Sequence, residues 1–141
     1  MRIVIINGPN LNLVGVREPQ IYGSKSFVVY IAELQEKYPD IDIDYYQSNH
    51  EGDLLDKLHE IGFSVKGIIL NAGAYTHTSI ALGDAIKAIT SPVIEVHISN
   101  VFERETFRHH SYLTEPCVHH IIGQGLKGYE MAIEYLKELN I

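Results

Sequence analysis

A single cysteine, Cys117, is all that the 141 residues contain. No internal disulfide can form, which suits a reducing, cytoplasmic setting. Long apolar runs are lacking as well, and none approaches the roughly 18 residues needed to span a bilayer. The opening segment, Met1 to Asn7, reads as a short strand and carries no signal-peptide pattern. Basic charge is scarce: 11 Lys and Arg stand against 18 Asp and Glu, a formal net charge of −7. Broad nucleic-acid or anionic-membrane binding uses a basic surface, so neither is expected as a partner. Neither G-x-G-x-x-G nor G-x-x-x-x-G-K-[ST] occurs, which argues against a nucleotide phosphate cradle. H-E-x-x-H is missing too, and His109-His110 and His119-His120 are adjacent pairs whose side chains diverge on a strand or helix, so a zinc site has little support.

What is present is ordinary globular material, 45% hydrophobic and 21% charged. The length fits one domain, residues 1–141, with a core large enough to need no disulfide or metal. Apolar runs and helical patterns alternate along it. Ile3 to Ile6 is a continuous apolar run, as a strand buried on both faces would be. Phe27, Tyr30, Ile31, Leu34 and Tyr38 recur at helical spacing until Pro39. Ile41, Ile43 and Tyr45 alternate with Asp42 and Asp44, the pattern of an edge strand protected by acidic side chains. Leu54, Leu55, Leu58 and Ile61 form a second helical stripe closed by Gly62. Val65 to Leu70, Pro92 to Val96 and Cys117 to Ile122 read as further strands. Thr78 or Ser79 can cap a helix carrying Leu82, Ala85, Ile86 and Ile89. Leu126, Tyr129, Ile133 and Leu136 mark the last helix. Strands alternating with helices predict a parallel α/β sheet. The alternating second strand favours the flavodoxin-like order 2-1-3-4-5, with helices on both faces. In such sheets ligands sit beyond the carboxyl ends of the strands. The two long connections, 8–24 and 99–116, are therefore the segments to inspect, with that after strand three.

Three strand ends carry polar groups. The first is followed by Asn7-Gly8-Pro9-Asn10-Leu11-Asn12-Leu13, then by a stretch holding Arg17 and Tyr22. A tyrosine titrates near ~10, so base chemistry at neutral pH requires a downward shift of roughly three units, about 4 kcal/mol. A nearby cation such as Arg17 supplies roughly one to three units. The third strand runs into Asn71-Ala72-Gly73-Ala74-Tyr75-Thr76-His77-Thr78-Ser79. The fourth ends Glu95-Val96-His97-Ile98-Ser99-Asn100, where alternation puts positions 95, 97 and 99 on one side. Glu95 can then orient His97 and raise its basicity, and a buried carboxylate requires such a partner. Arg104 and Arg108 lie near a short helix in the last long loop, where most arginines are solvated. The remaining histidines, His50, His59, His119 and His120, read as structural or surface residues.

Five blocks in order, Asn7–Leu13, Gly15–Gly23 with R-E-P-x-x-Y-G, Asn71–Ser79, Glu95–Asn100 and Phe107–Leu113 (F-R-H-H-S-Y-L), resemble the type II 3-dehydroquinate dehydratases. The resemblance runs from Ile5 to about Leu136. It implies dehydration of 3-dehydroquinate to 3-dehydroshikimate by anti elimination through an enolate, with no cofactor and no metal. By that resemblance Tyr22 is the base and Arg17, in a lid loop of about residues 12–24, keeps it ionised. His97 is the general acid, Glu95 its orienting partner, and Asn10 stabilises the enolate oxygen through a water. Asn71, His77 and Arg108 match substrate contacts, and the backbone amides of Ile98 and Ser99 match a carboxylate seat. Asp84 matches a residue that reaches a neighbouring subunit of a homododecamer, a tetramer of trimers. The expected setting is the shikimate pathway of aromatic amino-acid biosynthesis, with catabolic quinate use as the alternative. Val14 and Val16 in the lid motif, Gly83 before Asp84, and His119-His120 in an otherwise apolar strand depart from the pattern. A non-catalytic flavodoxin-like binding or signalling module is the rival reading. It would call for a phosphate loop or an acidic cluster at the strand ends, and the sequence has neither.

Overall fold

A computed structural model of the chain describes residues 1–16 and 25–140. Five strands, β1 (Arg2–Asn7), β2 (Asp42–Gln47), β3 (Gly67–Asn71), β4 (Val93–His97) and β5 (His119–Ile122), form one all-parallel sheet. Their order is β2-β1-β3-β4-β5. Among the described residues there are four α-helices, α1 (Phe27–Lys37), α2 (Glu51–Ile61), α3 (Ile80–Ala88) and α4 (Lys127–Leu139). None is long and apolar enough to cross a membrane.

Side chains alternate along each strand, and the two sets seed two cores. Ile3, Ile5, Ile69, Ile94 and Val96 pack with Phe27, Ile31 and Leu34 of α1 and Tyr129, Ile133 and Leu136 of α4. Val4, Ile6, Ile68, Leu70 and Val93 pack with Leu54, Leu58 and Ile61 of α2 and Leu82, Ala85 and Ile86 of α3. The α1/α4 layer thus covers one face and the α2/α3 layer the other. The three central strands are buried on both faces, which is why they read as unbroken apolar runs. Strand β2 lies at the edge, as its alternation indicates, and Asp44 accepts a 2.7 Å bond from Arg2 Nε of β1.

Local signals set the helix starts. Ser26 Oγ accepts the Val29 amide at the head of α1, and Ser79 Oγ accepts that of Leu82 at the head of α3. Of the two hydroxyls that could cap α3, Ser79 fills the position. Strand boundaries shift by one or two residues from the sequence expectation. Val65 is buried in the turn leaving α2, where its amide bonds to the Ile61 carbonyl, and β3 starts only at Gly67. Cys117 likewise closes a turn onto Leu113, so β5 begins at His119. A buried residue in a turn carries the same apolar signal as one in a strand. Strand β4 runs one residue further than Val96 and includes His97. His119 and His120 are exposed on the second edge, and His119 stacks on Tyr135 with centroids 4.3 Å apart.

Candidate active site

The carboxyl ends of β1, β3 and β4 converge on one polar cavity. Its lining includes Asn10, Asn71, His77, His97, Ile98, Ser99, Arg104 and Arg108. The floor depends on a close approach between two loops. Gly8 donates its amide to the Asn71 carbonyl at 2.7 Å, and a Cβ at Gly8 would lie 2.5 Å from the Ala72 carbonyl oxygen. Only glycine fits there without moving backbone. Asn10 follows in a left-handed conformation (φ 69°), its amide donating to Asn49 Oδ1 at 3.0 Å. Asparagine tolerates this region better than most residues. Leu11 and Val14 anchor the 3-10 turn Leu11–Leu13 in the core, so Asn10 is presented at the rim.

The end of β4 carries the only buried carboxylate–imidazole pair in the described residues. Glu95 is 1% and His97 6% exposed, and both project toward the α2/α3 face because they alternate with Ile94 and Val96. His97 Nε2 lies 2.7 Å from Glu95 Oε2. A carboxylate can only accept, so Nε2 carries the proton and Nδ1 is left to serve a ligand. Two further donors reach the same carboxylate: Ser111 Oγ to Oε2 at 2.6 Å, and Thr114 Oγ1 to Oε1. Burial works against the charge of Glu95. The bonds and charge of His97, with the two hydroxyls, outweigh it and hold the carboxyl below its ordinary range.

His77 sits in the 3-10 turn Gly73–His77 after β3, its ring 6.3 Å from that of His97. Its Nδ1 bonds the His110 carbonyl at 2.7 Å, so Nδ1 is the donor. Burial pushes its pKa below the ordinary histidine value, with the positive neighbours His97 and Arg108 acting the same way. Neutral His77 therefore offers Nε2 as an acceptor, suited to a ligand hydroxyl. Asn71 is 3% exposed and largely committed already: Oδ1 accepts the Gly73 amide at 3.1 Å, and Nδ2 donates to Tyr129 Oη at 2.9 Å.

The long connection after β4 supplies cations. Arg108 lines the cavity while its Nε donates to Glu105 at 2.7 Å and its guanidinium lies over the Phe107 ring. Arg104 differs from the solvated arginine that its loop setting suggests. It too lines the cavity, and Nη1 lies 3.4 Å from Ser99 Oγ. The two guanidiniums thus give a locally positive cavity in a chain of net charge −7, a setting for a small anion. Asp84 is exposed on α3 and is not among the residues lining this cavity. Arg17 and Tyr22 lie outside the described residues. Among the described residues no group of three or more His, Cys, Asp or Glu is arranged to hold a metal ion.

Ser111, Thr114 and Arg104 are the residues that sequence reasoning passed over. One signal pointed to the hydroxyls: a buried carboxylate has about four lone-pair sites, and His97 alone cannot fill them.

An open parallel α/β sheet with a polar cavity beyond its strand ends, holding a buried, hydrogen-bonded Glu–His pair, defines a flavodoxin-like fold that carries acid–base machinery. Comparison with known proteins narrows this. Residues 1–137 match the family model described as dehydroquinase class II, and the chain belongs to that family. It is 57% identical over 139 residues to a 3-dehydroquinate dehydratase of Exiguobacterium sp. (strain AT1b), covering 98% of this chain and 95% of that one. It is 52% identical to a catabolic 3-dehydroquinase of Phaeosphaeria nodorum, covering 94% and 89%. The crystal structure of a type II dehydroquinase from Butyrivibrio crossotus superimposes with a TM-score of 0.93 at 49% identity, covering 97% of each chain.

Proposed function

We propose that this protein dehydrates 3-dehydroquinate to 3-dehydroshikimate, a hydro-lyase reaction run without metal or organic cofactor. The observation that carries the reading is the buried Glu95–His97 pair opening on a cationic cavity in a chain of this family. Loss of a β-hydroxyl calls for a proton donor near neutrality, which an imidazolium beside a carboxylate provides. In the reaction the Tyr22 oxygen removes the proton beside the ketone and an enolate forms. The enolate then collapses, the C–O bond breaks, and the hydroxyl takes the His97 proton and leaves as water. Exchange with solvent returns a proton to His97 and removes one from Tyr22. Arg17 favours the ionised phenol, and Asn10 acts on the enolate oxygen. His77, Asn71 and Arg108 contact the ring hydroxyls, and the Ile98 and Ser99 amides hold the carboxylate. Asp84, exposed on α3, completes a neighbour's site in a homododecamer.

We place the activity in the shikimate route; deletion strains that still grow without aromatic amino acids would assign the catabolic role instead. The activity itself is read from the ultraviolet absorbance of the conjugated enone after mixing with 3-dehydroquinate. Wild-type protein produces the signal, and Tyr22→Phe abolishes turnover while ligand binding persists. No absorbance at any pH from about 6 to about 10, the span of ordinary His and Tyr titration, contradicts the proposal.

A further inference from the structure

The loop between β4 and β5 folds back on its own strand in a way that the reaction scheme leaves unused. Leu113 is fully buried in the α2/α3 core, and the Tyr112 amide donates to the Thr76 carbonyl at 3.0 Å. Gly83 of α3 admits this loop, since a Cβ there would lie 2.7 Å from the Tyr112 carbonyl oxygen. The departure at Gly83 therefore has a packing cause. Docked in this way, the loop delivers two hydroxyls to one carboxylate, 16 and 19 residues back along the chain.

The arrangement is asymmetric. Glu95 Oε2 is shared by His97 and Ser111, whereas Oε1 accepts from Thr114. A carboxyl held at both oxygens cannot rotate to exchange the one facing His97. Donors on both oxygens also favour the anion over the acid. We propose that Thr114, assisted by Ser111, is a positioning residue of the dehydration, clamping Glu95 as an oriented anion so that His97 can carry the acid proton. This rests on the dehydratase reading above. Without the Thr114 hydroxyl, Oε1 is a buried oxygen with no donor, and it takes up a proton more readily. Glu95 would then lose the charge that supports the imidazolium.

Thr114→Val removes the hydroxyl and keeps the shape, and Thr114→Ser restores the oxygen. Turnover of 3-dehydroquinate by wild type and both variants is followed across pH. Thr114→Val is expected to lower kcat about tenfold with KM within about threefold, the scale of one lost bond to a charge. Its acid limb should move to higher pH, and Thr114→Ser should recover most of both changes. Ser111→Ala, which also frees the Leu113 amide, should move the limb in the same direction. The titratable and charged groups around Glu95 stay as they are: His77 after β3, His97 on β4, His120 on β5, and Arg108, His109 and His110 in the loop, with Cys117 beneath. A displaced limb therefore reports on the carboxylate. Wild-type kcat and acid limb in Thr114→Val would overturn the proposal, as would equal impairment of Thr114→Val and Thr114→Ser, which would mark a packing role. A wild type that makes no enone would instead defeat the dehydratase reading. In that event carbon-13 titration of the Glu95 carboxyl, assigned with Glu95→Gln, decides. Protonation at higher pH in Thr114→Val supports the clamp, and an unchanged titration overturns it.

Discussion

On the α1/α4 face the sheet ends in Asn7 and Asn71, bonded to the phenols of Tyr45 and of Tyr129 from α4; on the α2/α3 face it ends in Glu95 and His97. Both are buried networks at the carboxyl edge, yet they differ in kind. In the first, Tyr129 Oη donates to Asn7 Oδ1 at 2.8 Å and accepts from Asn71 Nδ2, while Asn7 Nδ2 reaches Tyr45 Oη at 3.3 Å. Complete burial drives the Tyr129 hydroxyl far above the ordinary phenol range, so every member stays neutral. In the second, three donors converge on a carboxylate held below its ordinary range. A neutral network ties β1 and β3 to α4 and fixes where their loops begin. An ionised one keeps a proton ready to move. The contrast teaches that burial alone does not mark a reacting group; burial with a retained charge facing a cavity does.

The comparison can be broken from either side. The largest effect is expected for Glu95→Gln. Its amide can donate to His97 Nε2, which reverses the tautomer, and the Ser and Thr hydroxyls can turn to suit. Stability should therefore change little, while kcat falls by about 10²-fold or more, as when a histidine loses its orienting carboxylate. Steady-state kinetics and thermal melting separate the two. Tyr129→Phe should do the reverse. It strands the Asn7 oxygen and an Asn71 N–H in the core, costing about 1–3 kcal/mol of stability by denaturant titration, with a smaller loss of kcat than Glu95→Gln.

Acid stability distinguishes the faces next. Glu95 is depressed in the folded state, so the unfolded chain takes up its proton first. Its contribution is intact at neutral pH and is lost as pH falls below the ordinary Glu value of about 4.3 toward the folded one. Wild-type stability should fall over that window, Glu95→Gln should fall less steeply, and Tyr129→Phe should keep the wild-type slope. The smallest effect concerns the helix that backs the ionised face. Ser79→Ala should cost about 1 kcal/mol through the lost cap of α3, and Thr78→Ala less than about 0.5 kcal/mol.

Much of the fold was legible because burial follows periodicity. Ile41, Ile43 and Tyr45 placed β2 at the edge, and unbroken apolar runs marked the strands inside. Boundaries failed where residues such as Val65 are buried in a turn. Within the site, Glu95 and His97 were legible because two positions apart on a strand means one face. Ser111 and Thr114 were not, because their role depends on a loop whose docking is set by Leu113, Tyr112 and Gly83. Arg104 was missed for the same reason: nothing local distinguishes a loop arginine that turns toward a cavity from one in solvent. The family blocks at Arg17 and Tyr22 fall outside the described residues, so their roles rest on the proposed function.

The most direct test of the account is the initial rate of enone formation from 3-dehydroquinate by Glu95→Gln and Tyr129→Phe, at matched folded concentration and neutral pH. The account predicts that Glu95→Gln is slower by at least about tenfold although it is the more stable of the two. Equal rates, or a slower Tyr129→Phe, would contradict it.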